Sequence, residues 1–133
     1  MMKKILAIDD QPDNLITLKA IVKTYLPDCQ IITASSGPEG IKLATEEQPD
    51  IILLDIIMPE MDGYTVCKKL KANPTTSRLP ILMVTAIKSD SESRVRGLET
   101  GADAFLTKPF DIPEFVAQIK VLLRVKESED RLV

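Results

Sequence analysis

The sequence predicts an α/β protein in which helices cover both faces of an open, parallel, five-stranded sheet. Three observations carry that prediction. Short runs rich in Ile, Leu and Val recur along the chain and are continuously apolar, the pattern of strands buried on both faces of a parallel sheet. Between them stand segments whose apolar residues recur at helical spacing. Glycine and proline fall where these runs should stop and start. With 133 residues and 44% apolar content, the chain suits one domain with one core. Parallel strands joined through helices connect right-handedly, so a three-layer α/β/α sandwich is the expected product.

Ile5 to Ile8 reads as the first strand. Leu15, Leu18, Ile21, Val22 and Leu26 then form the apolar face of a helix that starts near Asn14 and stops at Pro27-Asp28. Ile31 to Ala34 is the second strand, and Gly37-Pro38 opens a helix carrying Ile41 and Ala44. Ile51 to Leu54 is the third strand, followed by a helix whose sheet-facing residues include Val66 and Leu70 and which ends at Asn73-Pro74. Ile81 to Val84 is the fourth strand; Val95 and Leu98 mark the sheet-facing side of the next helix, which stops before Gly101. Ala104 to Leu106 is the fifth strand. The last helix runs from about Pro113 to Leu123, with Phe115, Val116, Ile119, Leu122 and Leu123 toward the sheet. The domain is expected over residues 1–124, with 125–133 as a C-terminal helix extension or the start of a linker. In that tail, Leu122, Val125, Glu129 and Leu132 have the spacing of a coiled-coil seam, but Glu129 inside so short a seam favours a frayed helix end.

Composition excludes several function classes. A net charge of −3, from 17 basic and 20 acidic residues mixed along the chain, leaves no basic field for direct nucleic-acid binding. No apolar run approaches the roughly 18 residues of a membrane span, and Met1 to Lys4 lead straight into a strand instead of a signal-peptide core. A cytoplasmic protein with no membrane partner is expected. Cys29 and Cys67 have neither paired spacing nor partner histidines, which argues against zinc and against a disulfide framework. The chain has no histidine, so the commonest general base and commonest transition-metal ligand are both missing. Chemistry must run on carboxylates, hydroxyls and lysine.

Those groups stand at the strand ends. The first strand ends in Asp9-Asp10 and the third in Asp55, so central placement of both strands brings three carboxylates together. Two like charges about 4 Å apart repel by roughly 4 kcal/mol at an effective dielectric near 20, a cost that a divalent cation relieves. Oxygen ligands choose Mg²⁺, with Mn²⁺ as the alternative. A purely structural reading makes Asp9 or Asp10 the cap of the first helix, but Asp13 and Asn14 are better placed for that task. The fourth strand leads into Thr85-Ala86, which alone is ordinary strand composition. The fifth is followed by Thr107-Lys108-Pro109-Phe110, where Lys108 could neutralise the carboxylates and then pair with a phosphoryl oxygen. Together these groups make a phosphoryl-transfer site, in which cation and lysine stabilise charge while a carboxylate attacks. Asp55 is the candidate nucleophile, being the single acid at its strand end and followed by the turn at Met58-Pro59.

Ile8-Asp9-Asp10, Leu54-Asp55-Ile56-Ile57-Met58-Pro59 with Met61-Asp62-Gly63, Val84-Thr85-Ala86 and Lys108-Pro109-Phe110 resemble the response-regulator receiver domain of bacterial two-component systems. The resemblance covers residues 3 to about 124 and implies the flavodoxin-like strand order 2-1-3-4-5 with five helices. It implies that Asp55 takes a phosphoryl group from the phosphohistidine of a sensor histidine kinase or phosphotransfer protein. Asp10, Asp55 and the Ile57 carbonyl would bind Mg²⁺, with Asp9 acting through water. Thr85 and Lys108 would bind phosphoryl oxygens, and Lys108-Pro109 would be a cis peptide. Thr85 and Phe105 would form the switch. The output face would be the fourth helix, fifth strand and fifth helix, roughly Ser89 to Leu123, facing an output domain, a target protein or a second copy in a homodimer. On this reading the protein is a phosphoacceptor that assists its own phosphorylation and dephosphorylation, not an enzyme, and its parent is a regulator or a hybrid histidine kinase if the chain is a fragment.

Ile57 and Ile87, two residues after Asp55 and Thr85, are apolar where the family often has polar side chains. They are expected to hinder water at the phosphoryl group. Two rivals fit less well. A haloacid-dehalogenase-type phosphohydrolase needs an acid two residues after its nucleophile, where Ile57 stands. A flavodoxin-like FMN module needs a Ser-, Thr- and Gly-rich phosphate loop after the first strand, where Asp9-Asp10 would repel the phosphate. A degenerate receiver serving as a scaffold is disfavoured because every site residue is present.

Overall fold

The structure is a computed structural model and describes residues 2–86 and 91–131. Strands and helices alternate: β1 (Lys3–Ile8), α1 (Pro12–Tyr25), β2 (Cys29–Ala34), α2 (Gly37–Glu47), β3 (Ile51–Leu54), α3 (Gly63–Ala72), β4 (Ile81–Thr85), α4 (Ser91–Glu99), β5 (Ala104–Thr107) and α5 (Ile112–Arg131). All five strands are parallel, in the order β2-β1-β3-β4-β5.

Two apolar layers explain the continuous strand runs. Leu6, Ile8, Ile52, Leu54, Ile81 and Met83 point to one side of the sheet, where α2 and α3 supply Ala44, Val66 and Leu70. Their neighbours Ile5, Ala7, Ile51, Leu53, Leu82 and Val84 point to the other, where α1 and α5 supply Leu18, Val22, Phe115 and Ile119. Side chains alternate along a strand, so a sheet covered on both faces needs apolar residues at every position. The strand order reverses between β1 and β3, and in open α/β sheets ligands sit outside the carboxyl ends at such a reversal.

Two local expectations are corrected. β2 begins at Cys29, two residues before the apolar run at Ile31, because Lys3 and Lys4 of β1 pair there with Cys29 and Gln30. α4 does not face the sheet through Val95 and Leu98, which are 51% and 46% exposed. Its contact is Gly97, where an added Cβ would stand 2.9 Å from Phe105 Cδ2 and 3.0 Å from Met83 Sδ. The helix approaches β4 and β5 too closely for a larger residue. α5 continues past Leu123 to Arg131, with Lys126 and Asp130 paired at 2.6 Å one turn apart. Leu122 lies in the core, so the seam that begins with it does not form an exposed stripe; Leu132 lies outside the described residues.

Candidate functional site

Backbone hydrogen bonds carry the sheet past its strand ends and bring the expected residues together. Asp9 N–H donates to Ala34 O at 3.1 Å, Asp55 N–H to Ile8 O at 3.0 Å, and Lys108 N–H to Thr85 O at 2.8 Å. One carboxylate oxygen each from Asp9, Asp10 and Asp55 lie within 4.8 Å of one another. The apolar runs of β1 and β3 thus end on the rim where Asp9 and Asp55 are held.

The three carboxylates have different surroundings. Asp9 is 2% exposed. Its Oδ1 accepts the Gln11 N–H at 2.9 Å, and its Oδ2 accepts Asn14 Nδ2 at 3.0 Å and Lys108 Nζ at 3.3 Å. Asp55 is buried, and its Oδ1 accepts the Ile56 N–H at 2.8 Å. Burial pushes its carboxyl above the usual carboxylate range, and the Asp9 charge adds to this; Lys108, the Thr85 hydroxyl and the Ile56 N–H pull the other way. Asp10 is half-buried, and its Oδ1 is enclosed with no hydrogen-bond partner.

That unpartnered oxygen tests whether a cation fits. An enclosed carboxylate oxygen without a donor is costly. Neighbouring oxygens of a Mg²⁺ shell lie about 3–4 Å apart, the three oxygens here lie within 4.8 Å of one another, and all the donors are hard oxygens. The residues present fit a hard divalent cation.

Asn14 and Gln11 were missed as parts of this cluster. Asp13 and Asn14 do not cap α1; they lie in its first turn, after Gln11 and Pro12, and the Gln11 side chain makes no capping bond. Asp9 itself takes the Gln11 N–H, so this carboxylate braces the turn into α1 while it stands in the acidic cluster. The only sequence signal for Asn14 is its amide one helical turn into α1.

Thr85 is fully buried at the end of β4. Lys108 is held by the rim, and its peptide bond to Pro109 is cis. Ile57 lies in the loop after β3 with 59% exposure. Phe105, on β5, is half-buried against Gly97 of α4. Ile87 lies outside the described residues. A contact that sequence reasoning also missed joins α3 to α4: the Arg96 guanidinium lies 4.1 Å from the Tyr64 ring centroid.

With fold and rim in view, a family model for the response regulator receiver domain matches residues 5–120. The chain belongs to the response regulator receiver family. This receiver is 42% identical over 132 residues to the response regulator PleD of Caulobacter vibrioides, covering 99% of this chain and 28% of PleD. It is 42% identical over 127 residues to the alkaline phosphatase synthesis transcriptional regulatory protein PhoP of Bacillus subtilis, covering 96% of this chain and 51% of PhoP. A CheY-like receiver domain protein from Methanospirillum hungatei has the same fold, with a TM-score of 0.86, 29% identity and coverage of 97% of this chain and 99% of that one. The chain therefore spans between about a quarter and a half of these two regulators' lengths. Receivers of response regulators are signalling modules. Among the described residues no helix is long and apolar enough to cross a membrane.

Proposed function

We propose that this receiver accepts a phosphoryl group on Asp55 from a phosphohistidine and passes the signal on through α4, β5 and α5. The observation that carries this reading is the Asp9, Asp10 and Asp55 cluster, with Lys108 reaching into it and one Asp10 oxygen left without a donor. Asp10, Asp55 and the Ile57 carbonyl would hold Mg²⁺ or Mn²⁺, with Asp9 acting through water. The cation, when bound, supplies charge neutralisation for the phosphoryl oxygens.

An Asp55 oxygen attacks phosphorus, a P–O bond forms, and the P–N bond to the donor imidazole breaks as the ring takes up a proton. The donor histidine must come from another protein or domain, because this chain has none. The Ile56 N–H fixes the rotation of the Asp55 carboxylate, so the reacting oxygen starts in place. Lys108 and the Thr85 hydroxyl bind phosphoryl oxygens as charge builds on them. Acetyl phosphate with Mg²⁺ tests the reading by gel shift: wild type shifts, Asp55→Asn does not, and a shift that survives in the variant rejects it.

A phosphoryl group adds about −1.5 to −2 charge, which draws the Thr85 hydroxyl toward it and vacates space that Phe105 can enter. Phe105 lines a groove of about 460 Å³ between α4, β5 and α5, together with Arg94, Leu98 and Gln118. An output domain, a target protein or a second copy would dock here. The unit would be residues 1–124, with 125–133 a C-terminal helix extension or the start of a linker, and its setting would be the cytoplasm. Ile57, and Ile87 with it, would restrict water at the phosphoryl group.

A further inference from the structure

Asp9 Oδ2 is shared by two donors of different kinds. Lys108 Nζ reaches it at 3.3 Å from beyond β5, and Asn14 Nδ2 at 3.0 Å from the first turn of α1. Among the described residues Oδ1 has the Gln11 N–H alone. With Asp9 only 2% exposed, water does not readily replace a lost donor. A lysine that turns to a phosphoryl oxygen on Asp55 loosens its hold on Asp9. The carboxylate must then be compensated by what remains.

We infer that Asn14 is a positioning residue that eases the transfer of Lys108 from Asp9 to the phosphoryl group, a role that rests on the phosphoacceptor reading. Its amide stays on Oδ2 when the ammonium leaves, so Asp9 keeps a donor on each oxygen. A neutral donor suits this task. It carries no charge to compete with a cation at Asp10, and it forms no ion pair that would itself have to be broken. Without it, Lys108 becomes the sole partner of a buried charged oxygen, and the resting pair tightens against the transfer.

Beryllium fluoride, which mimics an aspartyl phosphate, separates this role from cation binding and from folding. Its binding at saturating Mg²⁺, and that of Mg²⁺ alone, are measured by calorimetry for wild type, Asn14→Ala, Lys108→Ala and the double variant. Thr17→Ala, exposed on the same helix, is the control. Alanine is well accepted in a helix, and circular dichroism confirms that each variant is folded. Asn14→Ala is expected to weaken beryllium fluoride binding about 5- to 20-fold, the scale of one hydrogen bond to a charged group. Mg²⁺ binding alone stays nearly unchanged, as does all binding by Thr17→Ala. In the Lys108→Ala background the Asn14 effect disappears, since no lysine remains to be released. Wild-type affinity in Asn14→Ala overturns the inference, as does an Asn14 effect undiminished without Lys108. If wild type binds no beryllium fluoride, the phosphoacceptor reading fails and takes the inference with it.

Discussion

Asp9 and Lys108, 99 positions apart in the chain, meet at 3.3 Å between Oδ2 and Nζ. Their strands are not neighbours. β3 and β4 lie between β1 and β5, so the lysine reaches across the ends of the strands that carry Asp55 and Thr85. The lysine ties the rim together and stands where a group on Asp55 would meet it.

Removing that lysine leaves Asp9 buried with neutral donors only. Lys108→Ala is expected to lower the stability of the metal-free protein by about 1–2 kcal/mol, less than for a fully buried pair because Gln11 and Asn14 remain and the lysine is partly exposed. Urea denaturation reads this directly. Unchanged stability would show that the ion pair contributes nothing in the resting state.

Asp55 predicts a pH dependence of the opposite sign to that of an ordinary paired carboxylate. Its folded-state carboxyl is raised, chiefly by burial, so the folded protein binds more protons than the unfolded chain between the usual carboxylate range and the raised value. Stability therefore falls as pH rises through that window, and the penalty is in full force above the raised value. Asp55→Asn should raise the melting temperature of the metal-free protein at pH 7, by an amount that shrinks as the pH falls from the raised value to the usual carboxylate range. Mg²⁺ should raise the wild-type melting temperature more than that of the variant. A metal-free wild type more stable than Asp55→Asn at pH 7 contradicts this.

Gly63 is where the Asp55 loop turns into α3. A Cβ there would stand 2.3 Å from Asp55 O and 2.7 Å from Ile56 Cα, and neither backbone atom can step aside. Gly63→Ala is expected to cost about 2–3 kcal/mol. In a domain of this size that lowers the melting temperature by roughly 10 °C, readable by calorimetry.

Ile57 offers a kinetic test of water access. Replacing this exposed side chain should leave the fold intact, with a stability change within about 0.5 kcal/mol. Ile57→Asn should make loss of the phosphoryl group several-fold faster, followed by the decay of radiolabelled protein after the donor is removed. An unchanged decay rate removes Ile57 from the account.

The central strands and their rim were legible because burial on both faces demands uninterrupted apolar runs. Such a run stops where the chain reaches the sheet edge, so Ile8-Asp9 and Leu54-Asp55 mark the rim in the sequence itself. α4 was not legible in the same way. Val95 and Leu98 have helical spacing, but the contact is made by Gly97, and the absence of a side chain leaves no hydrophobic signal. The Tyr64 and Arg96 pair depends on which helices lie side by side, which no local pattern contains. Asn14 looked like a cap because its local chemistry is that of a cap; its partner Asp9 lies five positions back, and Lys108 joins them only in the fold.

The most direct measurement is chemical localisation of the phosphoryl group. The protein is incubated with acetyl phosphate and Mg²⁺, and the acyl phosphate is reduced with borohydride, which converts a phosphorylated aspartate to homoserine. The digest is then sequenced by tandem mass spectrometry. Homoserine at position 55, and at neither Asp9 nor Asp10, is the predicted result. Homoserine at another carboxylate, or none under conditions that phosphorylate a known receiver, would contradict the account.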